Sequence, residues 1–172
     1  MCFLVFSSRA QFTRATLQAT GLTCALCSNA INKALLEVPF IASVRSDIKN
    51  SAFNMVFKEG FAVDIDAIKA AVEDAGFSVG SLKLTGQFDR LAVEKDKHVR
   101  IGKLNFHFTD IKKQVLDGEQ TLTVVDRDFI PAKEFKKWSG VFKKQCVVSG
   151  QAAGCCTDAG IPAGERVYHI TI

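Results

Sequence analysis

Two thiols stand three positions apart in the stretch GLTCALCSNAI, residues 21–31, where an apolar alternation stops and a helical period begins. Metal binding asks for soft donors that reach one ion together, and Cys24 on a loop with Cys27 on the helix it enters meet that demand. A helix N-terminus carries about half a unit of positive charge and unpaired N–H groups, which favour thiolate over thiol. Two sulfurs with no His, Asp or Glu beside them select a soft ion held at low coordination. Monovalent copper matches best, since Zn²⁺ ordinarily takes four ligands. The same spacing also serves a structural disulfide or a thioredoxin-like redox pair, although such redox motifs usually hold a proline where this chain has Ala25-Leu26. Simple packing is the third reading.

Cys146, Cys155 and Cys156, with His107 and His169, offer the ligand types for a second soft-metal site at a spacing that is not diagnostic. Alternation places Cys146 beside Phe142 and Val148, where a small buried hydrophobe or a disulfide serves equally. Cys155-Cys156 falls in the Gly/Ala-rich stretch SGQAAGCCTDAGIPAG. His98 stands in a charged stretch and is expected to be solvated. No Ser-His-Asp constellation, phosphate loop or acid–base carboxylate pair stands out, so the chain reads as a binding protein rather than an enzyme.

The elements that must position Cys24 and Cys27 are legible. Ala15, Leu17 and Ala19 alternate with Arg14, Thr16 and Gln18, which predicts a half-buried strand over 13–19. Ile31, Ala34, Leu35 and Val38 recur at helical spacing up to Pro39. Two strands follow, over 41–47 and 52–57, joined by a polar turn. Asp64 can cap a second helix whose buried stripe is Ile65, Ile68, Val72 and Ala75, and Gly76 stands where a left-handed residue ends it. A strand over 78–84 closes the set. The order βαββαβ is the ferredoxin-like arrangement, an antiparallel sheet with both helices on one face.

The segment TGQFDRLAVEKDKH, beginning at Thr85, lacks a clear period and reads as a lead-in to a second unit. Strands are expected over 99–108, 121–126, 141–148 and 166–172, with a helix over 131–138 and a bulge at Gly102 or Lys103. The fold class is therefore α+β: a ferredoxin-like domain over 13–85, then a small, mostly-β, OB-like barrel or sandwich over 86–172. An OB-like unit raises nucleic-acid binding with Phe106 and Phe108 as stacking platforms, but their alternation with Asn105 and His107 favours core.

GLTCALCSNAI resembles the GMTCxxC loop of heavy-metal-associated domains, found in copper chaperones and in copper-transporting ATPases. AVEDAGFSV, residues 71–79, resembles the segment after the second helix of that family. The likeness covers residues 13–84. It implies that Cys24 and Cys27 bind the metal, that Leu22 replaces a methionine anchoring the loop in the core, and that Phe77 approaches the loop from the other side. Thr23 and the missing carboxylate resemble the copper-binding members. The resemblance further implies transfer by ligand exchange with a copper-transfer protein or a copper-transporting ATPase, docking around Ala25 and Leu26. Mercury(II) scavenging would use the same thiols, and a thiol–disulfide oxidoreductase is the alternative of another class.

Composition sets the outer limits. The net charge of +4 is too mild to imply nucleic acid, and no apolar run approaches the roughly 18 to 20 residues of a membrane-spanning helix. Residues 1–12, MCFLVFSSRAQF, resemble the tail of an export signal, with Ser8 and Ala10 at the small-residue positions of a cleavage site. The expectation is a bacterial periplasmic or cell-envelope protein, with a cytoplasmic one as the alternative.

Overall fold

The structure, a computed structural model, describes residues 11–22, 25–142 and 144–172. The expected cleavage pattern in residues 1–10 and the first motif thiol, Cys24, lie outside the described residues.

Every element expected between residues 13 and 84 forms: β1 (Gln11–Thr20), α1 (Ala25–Leu36), β2 (Ile41–Asp47), β3 (Ala52–Phe57), α2 (Ile65–Asp74) and β4, which begins at Ser78. Alternation in β1 buries Ala15, Leu17 and Ala19. The Asp64 side chain caps α2 by accepting from the Ala67 N–H at 3.1 Å, and Gly76 follows the helix at φ +87°. Both helices pack together, α1 against β2 and α2 against β4, and their apolar stripes seal one face of the β2-β3-β1-β4 sheet.

Beyond residue 84 the expectation needs correction. Strand β4 does not stop there but runs to Val93, pairing with β1 on one side and β7 (Gln114–Val124) on the other. Its inward alternation continues through Leu82, Leu84, Gly86 and Phe88, but a glycine in the apolar row and the charged residues after it hide the period. The OB-like barrel does not form. Among the described residues the later strands, β5 (His98–Ile101), β6 (Leu104–Phe108) and β8 (Val167–Thr171), extend one sheet to eight, in the order β2-β3-β1-β4-β7-β8-β6-β5.

Gly86 is fixed by sterics rather than by φ. Strand β1 is bulged opposite it, and a Cβ at this position would stand 2.6 Å from the Gln11 carbonyl oxygen. Gly86→Ala is expected to cost about 1–3 kcal/mol through strand displacement, read as a lower urea midpoint. Gly140→Ala, in open space on a helix, should leave the midpoint unchanged or raise it. Equal midpoints for wild type and Gly86→Ala would contradict this close approach.

The run expected as one bulged strand over 99–108 is a hairpin, β5 (His98–Ile101) and β6 (Leu104–Phe108). The chain reverses at Gly102, whose φ of +62° suits a tight turn. The strand expected over 141–148 is replaced by the end of α3 (Ala132–Val141) and by α4 (Gln145–Ser149). Phe142, just past α3, and Cys146, on α4, share a small core, while Val148 is exposed. A 3₁₀ segment (Gly154–Ala159) and β8 (Val167–Thr171) follow.

Strand β8 pairs parallel to β6 and antiparallel to β7, and partners in register share a face. Phe106, Phe108, Tyr168 and Ile170 join the main core under the helices. This places Phe106 and Phe108 in the interior, fully buried, as their alternation predicts. The opposite face carries His98, His107 and His169 in one row across β5, β6 and β8. Among the described residues no helix is long and apolar enough to cross a membrane.

Candidate metal centre

The first candidate is the loop entering α1. Cys27 lies in the first turn of α1 and is half-buried, and that turn contains no acidic residue. The positive end of the helix therefore has no carboxylate to compete with a thiolate there. Leu22 packs against the main core, as the anchoring role asks. Gly21, at φ +83°, lets the chain turn, and a Cβ built on it lies 3.9 Å from the Phe77 ring, so Phe77 stands beside the glycine that precedes the motif. Leu26 projects into solvent, 80% exposed, and Ala25 is exposed beside it.

The second constellation lies on the other face of the far half of the sheet. Cys146 on α4 and Cys155 on the 3₁₀ segment approach to 3.2 Å between sulfurs, and Cys155 and Cys156 to 3.6 Å. His98, at the start of β5, is not solvated as its charged neighbourhood suggests. Its Nε2 lies 3.3 Å from Cys156 Sγ and 4.0 Å from Cys146 Sγ. His107 stacks on His98 with ring centroids 4.2 Å apart and planes at 4°. It is fully buried, shares its Nε2 with Asp96 Oδ1 at 3.1 Å, and has no hydrogen-bond partner at Nδ1.

Burial dominates the electrostatics of this cluster. It lowers the His98 pKa to about 4, helped by Lys144 and His169. It lowers that of His107 to about 3, helped by His169 and His98 and opposed by the Asp96 bond. Both imidazoles are thus neutral at pH 7, each with a lone pair on one ring nitrogen. Burial also pushes the Cys146 thiol up, with Cys155 and Cys156 adding to the effect. At Cys155 the burial penalty is outweighed by the hydrogen bonds of Cys146, which hold the thiol below its ordinary value.

His169, grouped with these residues on sequence grounds, lies edge-on to His107 at 5.0 Å between ring centroids but is engaged by a carboxylate rather than by the thiols. Its Nδ1 lies 2.6 Å from Asp126 Oδ1, and Asp126 is held on its other oxygen by Arg166 at 3.0 Å. The three C-terminal sulfurs come together, His98 joins them in place of His169, and His107 stands behind His98. The expected distance between strand partners would have identified His98: a two-residue turn at Gly102-Lys103 pairs position 98 with 107.

Residues 16–78 match the family model of the heavy-metal-associated domain. Over 66 residues the chain is 39% identical to Copper-transporting ATPase 1 of Rhizobium meliloti, covering 38% of this chain and 8% of that protein. Over 71 residues it is 31% identical to the probable copper-transporting ATPase HMA5 of Arabidopsis thaliana, covering 41% and 7%. The chain thus spans less than a tenth of the length of these curated relatives. A solved yeast structure, the copper transporter domain CCC2A, is 26% identical, covering 38% of this chain and 88% of its own, with a TM-score of 0.34. The family match ends at residue 78, before the segments that carry the second cluster.

Proposed function

We propose, on the premise that residues 16–78 are a heavy-metal-associated domain, that this chain binds Cu(I) as cargo through Cys24 and Cys27 and passes it to or from another copper protein. The observation that carries the reading is the coincidence of that domain with a CxxC whose second cysteine opens α1 in a turn without carboxylates. The donor chemistry fits the ion: two thiolates at a helix N-terminus satisfy a soft monovalent cation that tolerates low coordination.

Low coordination leaves room for an incoming thiolate. The partner's sulfur adds to the ion, a three-coordinate bridge forms, and one of the two cysteines leaves with its negative charge. Leu26 and Ala25 supply the exposed apolar surface next to the exchanging sulfurs. A copper-transporting ATPase or a copper chaperone is the partner class that follows, since each presents thiolates of the same kind.

Anaerobic Cu(I) titration against a competing chelator tests the reading. Wild-type protein should hold its tightest equivalent of Cu(I) through this pair, and the Cys24→Ser, Cys27→Ser variant should lose that equivalent while keeping its fold by circular dichroism. A variant with wild-type stoichiometry and affinity would overturn the proposal.

A further inference from the structure

We propose that Cys146, Cys155, Cys156 and His98 form a second, independent metal centre, a closed four-coordinate site for Zn²⁺. The four donor atoms make a closed circuit: Cys146 to Cys155 at 3.2 Å, Cys155 to Cys156 at 3.6 Å, Cys156 to His98 at 3.3 Å and His98 to Cys146 at 4.0 Å. In a tetrahedral zinc site, with bonds of about 2.3 Å to sulfur and about 2.0 Å to nitrogen, donor atoms stand about 3.8 Å apart between sulfurs and about 3.5 Å between sulfur and nitrogen. Of the six edges of such a tetrahedron these contacts supply four: the sulfur–nitrogen edges, 3.3 and 4.0 Å, bracket their value, and the sulfur–sulfur edges, 3.2 and 3.6 Å, lie just inside theirs. Packing of buried thiols as small hydrophobes has no need of an imidazole nitrogen, nor of two adjacent cysteines turned to the same point.

The surroundings agree with a metal centre. Cys146 and Cys156 are fully buried, so the site is closed to water on their side, as structural zinc sites are. The neighbouring carboxylate, Asp96, is already engaged by Lys144 and His107, which leaves a donor set of sulfur and nitrogen alone. That set selects zinc over calcium or magnesium. Independently, His107 has its ligand atom within 4.8 Å of those of His98 and Cys146, and it carries the buried Nδ1 without a partner. Three thiolates and one neutral imidazole around Zn²⁺ leave a net charge of −1, and binding releases the three thiol protons to solvent.

The position of the centre says what it does. His98 belongs to β5 at the edge of the sheet, Cys146 to α4, and the other two cysteines to the 3₁₀ segment. One ion therefore fastens the irregular segment after α3 onto the histidine face of the sheet. Its role is structural and separate from the cargo site, and it uses neither Cys24 nor Cys27.

The test uses the full chain carrying Cys24→Ser and Cys27→Ser, reduced and free of oxygen, so that the first site contributes nothing. Titration with Co²⁺ should saturate at one equivalent with the intense visible bands of tetrahedral cobalt and sulfur-to-cobalt charge transfer, and one equivalent of Zn²⁺ should displace it. In that background His98→Ala and the half-exposed Cys155→Ser should each weaken Co²⁺ binding by at least about tenfold while the metal-free circular dichroism spectrum is retained. Pale octahedral cobalt bands, unchanged affinity in both variants, or uptake of one Cu(I) with no Co²⁺ would each overturn the assignment. Because the background lacks the CxxC pair, such a failure leaves the Cu(I) reading standing, and failure of the Cu(I) titration leaves this one standing.

Discussion

Replacing Arg166 by Met is expected to lower the stability of the protein by about 3–5 kcal/mol, the range for breaking a buried ion pair from one side. The guanidinium donates from Nε to Asp66 on α2 at 2.9 Å, and from Nη1 to the carbonyls of Gly150 at 2.9 Å and Val167 at 2.8 Å. It pairs with Asp126 at 3.0 Å and lies over the Tyr168 ring at 4.2 Å. Although burial disfavours its charge, the bond to Asp66 and the charge of Asp126 hold the guanidinium pKa above its ordinary value. The large term is Asp126, 3% exposed, which would keep His169 but lose the cation that balances it. The bond to the more exposed Asp66 adds little after screening. Urea unfolding measures the loss, and the Arg166→Met, Asp126→Asn double variant should recover part of it, since an amide needs no counter-ion. A single variant within about 1 kcal/mol of wild type would show that Asp126 does not depend on the guanidinium.

Phe106→Ala should cost a similar amount, about 3–5 kcal/mol. The ring is fully buried and packs edge-on against Phe12 at 5.5 Å, with Tyr168 at 6.0 Å. Phe12 enters from β1 and Tyr168 from β8, so removal of the ring opens a cavity between side chains of three strands. Thermal unfolding should fall by roughly 6–20 °C for a chain of this size. Phe61→Ala, at a half-exposed ring, is the matched control and should move little. Equal shifts for the two variants would mean that the site collapses around the missing ring.

The first half of this fold was readable because its signals are local. Ala15, Leu17 and Ala19 alternate without interruption, Asp64 and Gly76 bracket α2 with side chains suited to a cap and a stop, and the two strands between the helices are bounded by polar turns. The CxxC could be placed at the mouth of α1 for the same reason. Past Thr85 the signals are local no longer. Gly86 takes an inward position because the β1 backbone leaves no room for a Cβ, a fact about another strand that an apolar period cannot register. His98 looked solvated because its sequence neighbours are charged, whereas its surroundings are set by β6 beside it and by α4 and the 3₁₀ segment above. Alternation with Phe142 and Val148 reads Cys146 as a strand residue, yet Cys146 lies on α4 and meets Phe142 in a small core across the break between α3 and α4. Residue type alone raises the cluster of three sulfurs. Its fourth member depended on reading Gly102-Lys103 as a reversal rather than as a bulge.

The place of β8 in the sheet has a consequence for the order of assembly. It follows β5, β6 and β7 along the chain but lies between β7 and β6, so the β5–β6 hairpin has no neighbour to join until β8 has been made and inserted. During synthesis on the ribosome, β1 to β4 have all emerged before β8 is made, and they can pair with one another, Leu17 with Leu82 for example, while the end of the chain is still missing. His98 and the three cysteines must wait for a pairing between residues about sixty positions apart, such as Asn105 with Val167. A nascent chain therefore passes through an interval in which its first half is native and thiol-bearing while the later thiols are still exposed to oxidant and to stray metal. The interval ends when one strand slides into the middle of the sheet.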